Sequence, residues 1–167
     1  MKKIYLDTNI LVALVAEKPE DEKLAERRAV ATNALNILTD SGTIALCVSS
    51  WALTEMVKVM INEYNIPHKK VAILHNAITQ TSSIAGFEIT LIQTSPSKRY
   101  SIENLFLDVR EIMTNYSPGW GDAIHCVIMR ENKIKTILSS DGKEDFKIIP
   151  SLELLDPANM VKTVSAQ

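Results

Sequence analysis

At 167 residues the chain has the size of a single domain, since two halves would each be short of core. Hydrophobic residues at 46% and charged residues at 23% exclude a disordered tail or a disulfide-dependent miniprotein, and no apolar run approaches the roughly 20 residues of a bilayer span. The net charge of −2 neither suggests nor excludes a nucleic-acid partner, because carboxylates withdrawn to hold cations leave the remaining surface without an acidic excess.

Residues 2–6 (KKIYL) read as a short strand and residues 10–16 as a short helix. Asp7, Thr8 and Asn9 interrupt this first apolar stretch, so no signal peptide is expected and a cytoplasmic location is. Pro19 with Glu20, Asp21 and Glu22 opens a second helix that runs to about Asp40 and stops at Ser41-Gly42. Residues 43–48 (TIALCV) form a compact apolar run bounded by turn residues, as a buried strand does. Leu53, Met56, Val57, Met60, Ile61 and Tyr64 recur at helical spacing and predict an amphipathic helix ending before Pro67. A helix over 68–83, a strand over 87–92 and a loop over 93–99 (QTSPSKR) follow. Helices are then predicted over about 102–115 and after Pro118-Gly119, a strand over 134–139 (IKTILS), and a short edge strand over 146–149 (FKII). Cys47 and Cys126 sit in apolar runs outside any C-x-x-C pair, which predicts buried free thiols.

Strands separated by helices predict an α/β fold, one domain over residues 1–167, with a mainly parallel sheet covered on both faces. In such sheets functional sites form beyond the carboxyl ends of the strands. That rule selects Asp7-Thr8-Asn9, Ser49-Ser50 with the helix behind them, and Ser140-Asp141.

Each acid near those ends has an ordinary structural explanation. Asp7 suits an Asx turn or helix N-cap, Glu55 a solvated helical position roughly opposite the apolar stripe, and Asp122 the first turn of a helix. Asp141 precedes Gly142, the signature of a tight turn. Taken together they gather at one edge of the sheet, where crowded carboxylates demand cations between them. Hard oxygen ligands of this kind select Mg²⁺ or Mn²⁺, which activate water and stabilise the oxygens of a phosphodiester under attack.

The segments YLDTNILVAL, SSWALTEMVKVM and GDAIHCVIMRENKIKTILSSD, with the trailing Asp145-Phe146, occur in an order that resembles the PIN domain family. The family comprises metal-dependent ribonucleases, among them toxins of type II toxin–antitoxin pairs. The resemblance implies a three-layer α/β/α sandwich and an Mg²⁺-dependent endoribonuclease. It carries the family's acidic positions onto Asp7, Glu55, Asp122 and Asp141, with Asn9 supporting Asp7 and with Thr8 and Ser140 as small hydroxyl positions beside the metals. RNA is the implied substrate. An antitoxin and a second copy of the chain are the implied partners. Residues 17–37 and 67–83 lengthen the chain relative to compact members, leaving open a clip over RNA, a dimer surface or an antitoxin groove. An RNA-binding or partner-docking module with little turnover is the alternative. A phosphotransfer enzyme built on Asp7 is weaker, because Asn9 stands where a second aspartate would be needed. His125 is read as a partly buried packing residue, Trp51 and Trp120 as core or wall residues, and Lys69-Lys70 and Lys98-Arg99-Tyr100 as exposed charge.

Overall fold

The computed structural model describes residues 1–18, 20–93, 101–140, 146 and 149–165. Four of its strands flank or extend the first one. The strands β1 (Lys2–Leu6), β2 (Ile44–Ser49), β5 (Thr90–Ile92), β6 (Thr136–Leu138) and β7 (Glu153–Leu155) form one sheet in the order β5-β2-β1-β6-β7. Every pairing in it is parallel. Successive residues of β1, β2 and β6 are buried, although their side chains alternate between faces. Both faces are therefore covered, and the helices around the sheet complete an α/β/α sandwich.

The helices follow from their local chemistry. In α1 (Thr8–Val15) Thr8 and all of Ile10 to Leu14 are buried, as expected of a short helix apolar on every side. The Arg28 guanidinium, from the neighbouring helix α2 (Glu22–Thr39), donates to the carbonyls of Ala13 and Ala16 at the end of α1. Asp21 caps α2 by accepting from the Leu24 amide at 3.0 Å. Ser49 caps α3 (Ser50–Asn62) by accepting from Ala52 N at 3.1 Å. The helix α4 (His68–Thr81) stops where Ser82 turns left-handed at φ 49°. α5 (Ile102–Tyr116) and α6 (Trp120–Glu131) pack on each other.

Three expectations change. The single strand predicted over 87–92 is two elements. β3 (Ser83–Ile84) and β4 (Phe87–Glu88) make an antiparallel hairpin, and only β5 joins the main sheet. The hairpin turn is Ala85-Gly86 with φ 48° and 88°, the double positive φ of a tight two-residue connection that breaks the run. The edge strand predicted over 146–149 is absent at Phe146 and Ile149, where Ile149 N donates to Phe146 O at 3.3 Å and closes a turn. The edge is instead β7, followed by α7 (Pro157–Ser165), which the pattern reading missed. The start of α7 carries a sequence signal after all. Asp156 accepts from Ala158 N at 2.9 Å, and Pro157 occupies the first helical position, where its missing N–H costs nothing. The predicted 93–99 loop lies, after Gln93, outside the described residues. Cys47 and Cys126 are free and buried, as their apolar runs required. No helix among the described residues is long and apolar enough to cross a membrane.

Candidate active site

The carboxyl ends of β1, β2 and β6 lie side by side, and the residues that follow them share one pocket of about 330 Å³. Asp7, Thr8, Asn9, Glu55, Asp122 and His125 line it, with Arg27, Lys58 and Tyr64. The register explains the convergence, because Leu6 pairs with Leu138 and Asp7 N donates to Leu138 O at 3.1 Å. Asp7 and Ser139 thus leave the sheet as neighbours.

Asp7 is only 6% exposed and its carboxylate is held from several sides. Oδ1 accepts from Thr8 N at 2.7 Å, and Oδ2 accepts from Asn9 Nδ2 at 2.7 Å and from Ser139 Oγ at 2.6 Å. It is also the N-cap of α1, so the ordinary reading and the functional one describe the same side chain. Asn9 spans both strands, since its Oδ1 accepts from Ser140 N at 3.2 Å. The hydroxyl that reaches Asp7 belongs to buried Ser139. Ser140 is exposed and contributes its backbone N–H to Asn9.

Glu55 sits beside the buried stripe of α3, and its side chain is 24% exposed, in contrast to the solvated position expected for it. It continues the line from Ala52 towards Val59, a pocket-lining residue, along the edge of that stripe. Its Oε2 accepts from Thr8 Oγ1 at 2.9 Å and lies 2.7 Å from His125 Nε2. Burial pushes its carboxyl up, but the hydrogen bond and attraction of His125, the Thr8 hydroxyl and the Lys58 charge hold it below the usual glutamate value. Oε1 rests against the first turn of α6, where a Cβ on Gly121 would stand only 2.7 Å away. Gly121 is therefore required by the close approach of Glu55.

Asp122 is half-buried in the first turn of α6 and lines the same pocket. Its Oδ2 would lie 3.2 Å from a Cβ at Gly119, the residue that begins the helix. Asp141, like Asp145, lies outside the described residues. Among the described residues, no group of three or more acidic, histidine or cysteine side chains is arranged to hold a metal ion.

His125 departs from its sequence reading. It is 1% exposed, fully buried among polar partners, with Nδ1 2.7 Å from the Tyr5 hydroxyl and Nε2 3.6 Å from Asp7 Oδ1. Tyr5, itself wholly buried, lies 2.5 Å from Ser49 Oγ. Burial pushes the Tyr5 phenol well up, the nearby Asp7 and Glu55 charges add to this, and the Ser49 hydrogen bond opposes it. Tyr5 and Ser139 were missed because a tyrosine and a serine inside predicted buried strands look like packing, whereas Ser49 was selected by its place at the end of a strand. The only available signal was that polar atoms at core positions need partners. Trp120 is 47% exposed and stacks on Phe106, ring centroids 5.9 Å apart, so it is no core residue. Trp51 is half-buried and packs against the core. Lys69 and Lys70 are exposed on α4, and residues 98–100 lie outside the described chain.

Comparison with known proteins agrees with this architecture. A chain in the structure of VapBC2 from Rickettsia felis, bound to a DNA fragment from its promoter, is 18% identical with a TM-score of 0.59, over 92% of this chain and 98% of that one. The sarcin–ricin loop cleaving toxin VapC20 of Mycobacterium tuberculosis is 16% identical with a TM-score of 0.57, over 84% and 91%. At these identities the likeness concerns the fold. No curated protein matches the chain. The PIN domain family matches residues 4–150, from the middle of β1 to the turn before β7, and includes Asp7, Glu55 and Asp122 with all the donors around them. The chain belongs to the PIN domain family.

Proposed function

We propose that this protein is an Mg²⁺-dependent endoribonuclease in which Asp7, Glu55, Asp122 and Asp141 form the metal-binding and catalytic set, and that it acts as the toxin of a toxin–antitoxin pair. The observation that carries the reading is the state of Asp7. A carboxylate 6% exposed is held in one orientation at the pocket by a backbone amide, a side-chain amide and a hydroxyl, where it would meet a cation without rearranging. The oxygen donors of Asp7, Glu55 and Asp122 along one pocket suit Mg²⁺ or Mn²⁺, ions that retain several waters and need only one or two protein carboxylates. Bound there, Mg²⁺ supplies activation of water for in-line attack and neutralises charge on the scissile phosphate.

The rest of the chemistry belongs to the chain. Asn9 and Ser139 fix the Asp7 carboxylate, so that it does not reorganise as charge develops near it. Arg27 and Lys58 bring positive charge to the pocket wall, where it attracts and orients a polyanionic strand. The two structural relatives, one named as a sarcin–ricin loop cleaving toxin and the other solved as VapBC2, favour RNA as substrate and an antitoxin as partner. Homodimerisation accords with the same family reading.

The test is cleavage of a mixed RNA pool by purified protein with Mg²⁺, with chelator, and with Asp7→Asn. Chelator and substitution should each abolish cleavage, and cleavage that survives Asp7→Asn in a clean preparation would refute the assignment. A second reading is a module that binds RNA or a partner with little turnover. Calorimetric Mg²⁺ titration separates the two, since the module need bind no metal to hold RNA.

A further inference from the structure

With a neutral imidazole at His125, the hydrogen bonds beneath Glu55 among the described residues have one consistent direction, and it is set by a helix cap. Ser49 Oγ, at the N-cap of α3, accepts from Ala52 N at 3.1 Å, which leaves its own O–H to donate. Among the described residues the one side chain within reach is Tyr5, at 2.5 Å, so Ser49 donates to the Tyr5 oxygen. Tyr5 then has its single O–H for His125 Nδ1 at 2.7 Å, and that nitrogen must accept. The proton of the neutral imidazole is thereby placed on Nε2, which faces Glu55 Oε2 at 2.7 Å, a carboxylate oxygen able only to accept. Reversing the chain would leave the Ser49 hydroxyl, which is 0% exposed, without an acceptor among the described residues and would put a bare Nε2 against a carboxylate.

We infer that Tyr5 and His125 are positioning residues for Glu55. The ordered series Ser49–Tyr5–His125 begins at the cap of α3 and returns to the same helix at Glu55. It fixes Oε2 together with the Thr8 hydroxyl and leaves Oε1 as the oxygen without a hydrogen bond among the described residues. Two consequences follow. His125 Nε2, carrying a proton, is not a metal ligand although it lies within 3.6 Å of Asp7 Oδ1. An ion held here would meet oxygen donors alone, with the imidazole acting one bond further out, where such partners set carboxylate orientation. The inference rests on the proposed role of Glu55 as a metal-facing carboxylate, but the hydrogen-bond order itself does not.

The experiment is ¹⁵N NMR of the full-length protein with labelled imidazoles, metal-free and then with Mg²⁺, with calorimetry on Tyr5→Phe, His125→Ala and His125→Gln. Among the three histidines, the signal missing in His125→Gln should show an acceptor Nδ1 and a protonated Nε2, unchanged in pattern when Mg²⁺ is added. Tyr5→Phe should weaken Mg²⁺ binding about 10-fold and His125→Ala by about 10- to 100-fold, with part of the loss recovered by the amide donor of His125→Gln. A protonated Nδ1, loss of the Nε2 proton on adding Mg²⁺, or folded Tyr5→Phe and His125→Ala proteins with wild-type affinity would overturn it. Should Tyr5→Phe fail to fold, the wild-type spectrum decides. A wild-type protein with the expected tautomer but no Mg²⁺ binding would uphold the hydrogen-bond order and reject the metal reading.

Discussion

Gly121→Ala separates the demands of the helix from those of the pocket. Alanine is the better helix former by roughly 0.5–1 kcal/mol, so α6 taken alone would gain stability. The new Cβ, however, would stand 2.7 Å from Glu55 Oε1 and 3.7 Å from its Cδ. To reach an ordinary contact at 3.4 Å the oxygen must retreat by about 0.7 Å. The Thr8 and His125 donors hold Oε2, so the carboxylate pivots about that oxygen and Oε1 swings. Misplacing a reacting or ligating group by about 1 Å costs on the order of 100-fold in rate, which puts the loss for Gly121→Ala at roughly 10- to 100-fold. Gly119→Ala is the control. Its Cβ would stand 3.2 Å from Asp122 Oδ2, a milder approach, but it replaces an N-cap glycine with a poor cap and should cost roughly 0.5–1 kcal/mol, about 1–4 °C in melting temperature. The two variants should therefore cross: Gly121→Ala melts at or above wild type with reduced Mg²⁺ affinity and RNA cleavage, and Gly119→Ala melts lower with most of its cleavage intact. A folded Gly121→Ala protein with wild-type affinity and cleavage would refute the claim that this glycine makes room for Glu55.

Two further outcomes follow from the same geometry. Ser139→Ala removes a buried donor at 2.6 Å from the Asp7 carboxylate and should destabilise the fold by about 1.5–3 kcal/mol in urea melts, whereas Ser140→Ala, which keeps its backbone N–H to Asn9, should be neutral within about 0.5 kcal/mol. Equal effects at the two serines would contradict the hydroxyl assignment. Burial, with the nearby Asp122 and Asp7 charges, pushes the Cys126 thiol from 9.0 up to about 12. A raised folded value means that stability is intact below about pH 9 and is lost as pH rises towards 12. Wild type should therefore lose more stability than Cys126→Ala between pH 8 and about 11, and Cys126 should resist thiol reagents until the protein unfolds.

The fold was largely legible because its strongest signals are local. The apolar runs at β1 and β2, the periodicity of α3 and the capping acids before α2 each specify one element. β7 and α7 escaped because three residues, one exposed and two half-buried, carry too little pattern to outweigh the neighbouring turn. The site was legible as a list of acids and much less as an arrangement. Asp7 stands out by following a strand, but that Ser139 and His125 would serve it and Glu55 depends on register and on the packing of α6. Neither is written in spacing. Glu55 looked solvated because a pattern reading cannot show that the edge of its helix stripe opens onto a pocket.

The position of β1 has one more consequence. The first strand to be made is the central one, with β2 on one side and β6 on the other. Until residue 139 has joined, a growing chain can offer Asp7 only Thr8 N and Asn9, and the imidazole of His125 arrives only fourteen residues earlier. A nascent chain halted after Glu55 and before His125 contains both acids but neither of the distant partners that hold them. The arrangement at the sheet edge thus forms late in synthesis, so fragments released early carry the acids without the site.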